Sequence, residues 1–256
     1  MNKLFPVVVL ITVICIGLVG CDTAKKIPYF QNLPDSTDTT VSQSAFAEPK
    51  IQSDDILSII IQTVDPGASA SVNQEGIKGI AAGGQQISGF LVDKNGEVEL
   101  PIIGAVKLMG LTTYEARKVI KEKASKHFVN PNVQVRFANF KVTVIGEVNH
   151  PATYTVPNEK VSILDIIGMA GDLTIYGKRD NVLLIRETDK GKKMVRFNLN
   201  NSQLFDSPYY YLKQNDIVYV EPAKSKIAST DSAKTRLLAI ITSVASLVTI
   251  IVVRFF

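Results

Sequence analysis

The apolar residues of this chain are segregated, and that segregation decides most of what it can fold into. Each end is a nearly unbroken hydrophobic run, while the middle alternates apolar and polar residues in short segments. An alternating middle buries one face of its strands and helices and builds a water-facing body. The ends have no charged face to turn to water, which assigns them to a membrane or to processing.

At the N-terminus, Lys3 precedes the apolar run from Phe5 to Val19, and Leu18-Val19-Gly20-Cys21 sets small residues directly before a cysteine. A positive start, a short apolar core and small residues at a cleavage point describe a secretory signal over 1–20. The cysteine makes it a lipobox. Cys21 is the expected lipid-attachment site: its thiol takes a diacylglycerol as a thioether, and its freed amine accepts a further acyl chain such as palmitate. A plain secretory signal or an N-terminal membrane helix leaves the position of the cysteine to chance. Cys15 departs with the signal, so the mature chain holds no thiol for a disulfide, a zinc site or a nucleophile. Two or more acyl chains anchor stably where one is marginal.

At the C-terminus, Leu237 to Val253 carries no charge, Pro or Gly. Its 17 residues would cover roughly 26 Å as a helix, near the lower limit for a transmembrane span. Lys234 and Arg236 flank one end and Arg254 the other. At 100° per residue, Ala239, Thr242, Ser246 and Thr249 gather on one side, opposite Ile240, Val244, Leu247 and Ile251. Small and hydroxyl residues let helices pack closely. The sharper expectation is that Thr242, Ser246 and Thr249 line a pore.

Between the ends, residues 21–48 are polar and read as a tether, with Ile27-Pro28-Tyr29-Phe30 as a patch able to dock. A first unit, 49–140, opens on the turn Ser53-Asp54-Asp55 and a strand at Ile56 to Ile61. Residues 65–88 show no periodicity and read as a mobile loop. Phe90 to Val92 and Val98 to Leu100 read as a hairpin around Asn95-Gly96. Thr112 and Glu115 form a capping box for a helix that buries Ala116, Val119, Ile120 and Ala124. A second unit, 141–222, runs strand, strand, helix and three strands, with a box-like start at Ser162 and Asp165. This makes it a small α+β domain of β-grasp type. A linker, 223–236, follows. One echo links the units: Ser53-Asp54-Asp55 and Gln214-Asn215-Asp216 each lead into a β run.

No catalytic constellation, cofactor motif or metal motif is present. The sequence has no HExxH, GxSxG or GxxxxGK[ST]. His127 and His150 read as surface or capping residues. Asp54 and Asp55 are adjacent in a strand entry and point apart, which suits a turn better than a pair of catalytic carboxylates. Gly79 to Gly84 is glycine-rich, yet it lacks the helix and lysine of a phosphate loop. A net charge of +4 without a basic stripe argues against nucleic acid.

Together these residues resemble the outer-membrane polysaccharide export family, the Wza-like exporters. Ile51 to Ile59, then Val92 through Asn95-Gly96 and Leu100-Pro101 to Gly104, and Gly110 to Ala116, are similar to its export domain. Val144-Ile145-Gly146-Glu147-Val148 through Pro151 and Tyr154 is similar to its soluble-ligand-binding β-grasp (SLBB) module. Turn glycines of the family are replaced here by Asp54, Ala152 and Asp172. A single such module and the start Lys25-Lys26-Ile27-Pro28-Tyr29 look like the Bacteroidetes-type subset.

The resemblance implies a lipid-anchored homo-oligomeric ring at the outer membrane with its body in the periplasm. It implies a lumen that passes capsular or exopolysaccharide, a helical barrel made by the C-terminal helices, and an inner-membrane co-polymerase or tyrosine-kinase partner. The alternative is a lipid-anchored periplasmic glycan-binding protein without a channel.

Overall fold

The two alternating stretches of sequence fold as two units, each with a main sheet and a helix opened by a capping box. The computed structural model describes residues 28–34, 38–73, 77–80, 86–188, 190–226 and 232–255. The signal segment 1–20 and Cys21 lie outside the described residues.

The first unit runs β1 (Ile56–Gln62), α1 (Pro66–Val72), β2 (Ile77–Ile80), β3 (Gln86–Leu91), β4 (Glu97–Leu100), β5 (Gly104–Lys107), α2 (Thr113–Ala124) and β6 (Asn132–Phe137). Its antiparallel sheet has the order β2-β3-β1-β6, beside the separate hairpin β4-β5. Leu57, Ile59 and Ile61 alternate into the core, as the period of two requires. They meet Ala116 and Ile120 of α2 in one apolar cluster.

The second unit runs β7 (Lys141–Gly146), β8 (Ala152–Thr155), α3 (Ile163–Met169), β9 (Gly177–Thr188), β10 (Gly191–Phe197), a 3-10 turn at Ser202–Asp206 and β11 (Ile217–Pro222). Its sheet has the order β10-β9-β11-β7-β8. Of its pairings, β11 with β7 is parallel and the others are antiparallel. First and last strands parallel at the centre, with a helix after the first hairpin, make the β-grasp arrangement. Ile163, Ile166 and Ile167 of α3 pack into its core. Phe137 lies against both cores and so belongs to the junction.

Both expected capping boxes form. Glu115 N donates to Thr112 Oγ1 at 3.2 Å and Thr112 N donates to Glu115 Oε2 at 2.9 Å. Asp165 N donates to Ser162 Oγ at 3.2 Å and Ser162 N donates to Asp165 Oδ2 at 2.8 Å. Each box satisfies donors that the first helical turn would otherwise leave bare.

Three expectations need correction. The loop expected over 65–88 contains α1, β2 and the start of β3. Asp65 caps α1 by accepting from Gly67 N at 2.9 Å, and Pro66 opens its first turn. Proline at that position is a start signal that needs no periodicity. The expected hairpin of 90–92 with 98–100 does not form either. β3 pairs with β1, placing Ile56 opposite Leu91, while β4 pairs with β5. The Asn95-Gly96 turn itself exists, with Gly96 N donating to Asp93 O at 2.9 Å, but it connects two different sheets. Turn chemistry fixes the bend and leaves the partner open.

The tether over 21–48 is the third. Its described part is a strap on the second domain. Phe30 N and Gln31 N donate to Leu199 O and Asn200 O at 3.2 and 2.8 Å, and Ser44 N donates to Phe205 O at 2.8 Å. Phe30 stacks on Phe205 at 5.3 Å, and Phe46 meets Tyr211 edge-on at 5.2 Å. A few aromatic anchors hold an otherwise polar segment.

The C-terminal helix α4 (Ser232–Phe255) has 24 residues and starts five residues before Leu237, inside the expected linker. Among the described residues no helix is long and apolar enough to cross a membrane. The side chains of Leu238, Ala245, Thr249, Val252 and Val253 lie outside the described residues. The expected span at 237–253 is therefore seen as a helix, and its crossing of a membrane rests on sequence.

Candidate functional site

Three places bring polar or apolar groups together in a way that packing alone does not require. The first is α4. Leu237, Ile240, Val244, Leu247, Val248 and Ile251 are all exposed. Leaving such a side chain in water forfeits about 1.5–3 kcal/mol of burial, so a helix of this kind needs cover.

On its other face, Thr242 and Ser246 are exposed in one line. Thr242 Oγ1 donates to Ala239 O at 3.0 Å and Ser246 Oγ to Ser243 O at 2.8 Å. Their donors are satisfied within the helix, which lowers the cost of an apolar or narrow surrounding. The side chain of Thr249 lies outside the described residues.

The second is the turn between α3 and β9. Gly171 and Asp172 both have positive φ, +73° and +69°. A Cβ on Gly171 would lie 2.5 Å from His150 Nδ1, so this exposed histidine covers the turn. Tyr29 of the strap donates its hydroxyl to Asp172 Oδ1. Burial, then the hydrogen bond to the Asp172 carboxylate, holds the Tyr29 hydroxyl far above its ordinary pKa.

Beneath it, buried Arg179 donates to Leu173 O and Thr174 O, both at 3.3 Å, with its guanidinium 5.5 Å from the Tyr29 ring. On the other side of the turn, buried Glu147 accepts from Thr174 Oγ1 at 2.6 Å and is bridged by Lys226. The Lys226 hydrogen bond, then that of Thr174, pulls the Glu147 carboxyl below its usual range. Ala223 N donates to Tyr176 O at 2.7 Å. The entering strap and the departing C-terminal segment are thus fastened to one turn.

The third is the domain junction, where the two echoed turns meet. Asp54 and Asn215 have φ of +69° and +64°. The next residue in each is a buried aspartate whose Oδ2 accepts from the backbone three residues back: Gln52 N to Asp55 at 2.8 Å, Lys213 N to Asp216 at 2.7 Å. Gln214 Nε2 then donates to Asp55 Oδ1 at 2.8 Å. Burial pushes the Asp55 carboxyl up.

Asp216 is held by Arg186, whose Nε and Nη2 reach Oδ1 and Oδ2 at 3.0 and 2.6 Å. Asp54 and Asp55 are therefore turn residues. Sequence reasoning missed Glu147, Arg186 and Gln214 as network members and placed Tyr29 only in a patch able to dock. The echo was the signal that pointed toward Gln214. Among the described residues no group of three or more His, Cys, Asp or Glu is placed to hold a metal ion.

A family model described as polysaccharide biosynthesis/export protein matches residues 43–138, and the SLBB domain model matches 141–198. The chain thus carries, in order, a polysaccharide biosynthesis/export domain and an SLBB domain, the first being the mark of an export protein rather than an enzyme. Its relatives include the EPS I polysaccharide export outer membrane protein EpsA of Ralstonia solanacearum, 28% identical over 190 residues, which are 71% of this chain and 50% of that protein. The protein of the same name from Ralstonia nicotianae (strain ATCC BAA-1114 / GMI1000) is 26% identical over 182 residues, 67% of this chain and 47% of that protein. The chain spans about half the length of these curated relatives.

Proposed function

We propose that this chain is a subunit of an oligomeric channel that exports a capsular polysaccharide or exopolysaccharide across the periplasm and outer membrane. The carrying observation is the order of parts: an export domain, an SLBB domain, then a helix whose described apolar side chains are exposed.

In this reading 49–140 is the export domain and 141–222 the SLBB domain. Cys21 carries the lipid, and α4 crosses the outer membrane as one stave of a helical barrel. A ring of helices can enclose water because each helix satisfies its own backbone. Thr242, Ser246 and Thr249 line the lumen, offering hydroxyl oxygens to a sliding sugar chain without a fixed charge to trap it. The inner-membrane partner is a polysaccharide co-polymerase, with or without a kinase domain.

Deleting the gene and measuring surface polysaccharide tests this reading. Polymer should vanish from the surface and accumulate inside, with rescue by the wild-type chain but not by Cys21→Ala or a chain stopped after residue 231. Unchanged surface polymer would overturn it and leave a glycan-binding lipoprotein without a channel.

A further inference from the structure

We infer that the Asp172–Tyr176 turn of the SLBB domain rests against the lipid surface, with Ile175 entering the headgroup boundary. This rests on the reading of Cys21 and α4 as membrane attachments.

The turn is where both attachments leave the folded body. Tyr29, whose hydroxyl bonds Asp172, is separated from Cys21 by the seven residues 22–28. Lys226, which bridges Glu147 beside Thr174, is separated from Ser232 by the five residues 227–231. At full extension these segments reach roughly 29 and 22 Å. A domain of this size is roughly 30 Å across. With the turn facing away from the bilayer, both segments would have to round the domain, and neither is long enough to do so and still reach lipid. The lengths are met together when the turn faces the membrane.

The tip of the turn suits that position. Ile175 is 67% exposed. The groups around it are already bonded inward: Gly177 N donates to Thr174 O at 3.0 Å, Thr174 N to Glu147 O at 3.2 Å and Tyr176 N to Thr174 Oγ1 at 3.1 Å. An apolar side chain flanked by the inward-bonded Thr174, Tyr176 and Gly177 amides can enter the headgroup boundary, where the Ile175 backbone still meets water.

The only cysteine expected in the mature chain is acylated, so Ile175→Cys gives one reactive thiol. The full lipoprotein carrying it is labelled with a polarity-sensitive fluorophore and reconstituted in vesicles of phosphatidylethanolamine and phosphatidylglycerol. Ile102→Cys, on the exposed tip between β4 and β5, is the reference site. Brominated lipid should quench the probe at 175 at least twofold and leave the probe at 102 unchanged. A probe at 175 that lipid does not quench, in protein that still floats with vesicles, overturns the inference. Shielding from both lipid and aqueous quencher overturns it in favour of contact between copies. Wild-type protein that fails to float removes the anchoring reading, and this inference with it.

Discussion

Gln214 Nε2 donates a 2.8 Å hydrogen bond from the β-grasp unit to Asp55 Oδ1 in the export domain. The two residues belong to equivalent turns, each with a left-handed residue followed by a buried aspartate that opens a strand. One turn therefore reads the other, and the domains are registered through their own strand starts. Thr113 Oγ1 donating to Glu159 Oε2 at 3.0 Å adds a second bond between the domains.

Gln214→Ala leaves the buried Asp55 carboxylate short of a donor, and the expected loss is about 1–3 kcal/mol. Burial raises Asp55 in the folded state, so the folded chain binds this proton more tightly than the unfolded chain. The group's contribution therefore weakens as pH rises above its ordinary 3.8. The variant should enlarge that loss, measured as urea midpoints across pH 4 to 7. An unchanged midpoint at every pH would remove the junction from the energetics.

Asp216→Ala strips the buried Arg186 guanidinium of its carboxylate and frees Lys213 N. Removing one partner of a buried pair costs about 3–5 kcal/mol. Thermal unfolding should show it as a large fall in Tm, whereas loss of the half-exposed Lys178–Glu221 pair by Glu221→Gln should change Tm less.

Gly146 has φ of +94°, and a Cβ there would lie 2.1 Å from Val220 O. Gly146→Ala should therefore prise apart the parallel β7–β11 pair and cost at least about 2 kcal/mol. Gly168→Ala meets open space in α3 and should be neutral or slightly stabilising. Comparable unfolding midpoints for the two variants would contradict this.

The Lys226–Glu147 tie is pH-dependent in the opposite sense to Asp55. Glu147 is lowered in the folded state, so its contribution is present above its ordinary 4.5 and is lost as pH falls through the folded value. Lys226→Met should cost about 1 kcal/mol at pH 7. The gap between variant and wild type should close on acidification, read from denaturation curves at pH 7 and pH 3.

Capping boxes, the α3 core face and most strand runs were legible in the sequence because their signals are local; β2 and β5, four residues each, were not. Thr112 with Glu115 and Ser162 with Asp165 need only three residues of context. The pairing of β3 with β1 was not legible, because Asn95-Gly96 specifies a bend and carries no information about what lies beside β1. Helix α1 was hidden by its length, with Asp65-Pro66 as its single start signal. The strap was half legible: Tyr29 and Phe30 stand out in a polar stretch, but Asp172 and Leu199, which receive them, are 143 and 169 positions away.

Native mass measurement and imaging of the full chain extracted in mild detergent test most directly whether it is a channel subunit. The expected result is a closed ring of identical subunits, narrowing to a helical barrel formed by α4. Monomers alone, across several detergents that preserve the fold, would contradict it.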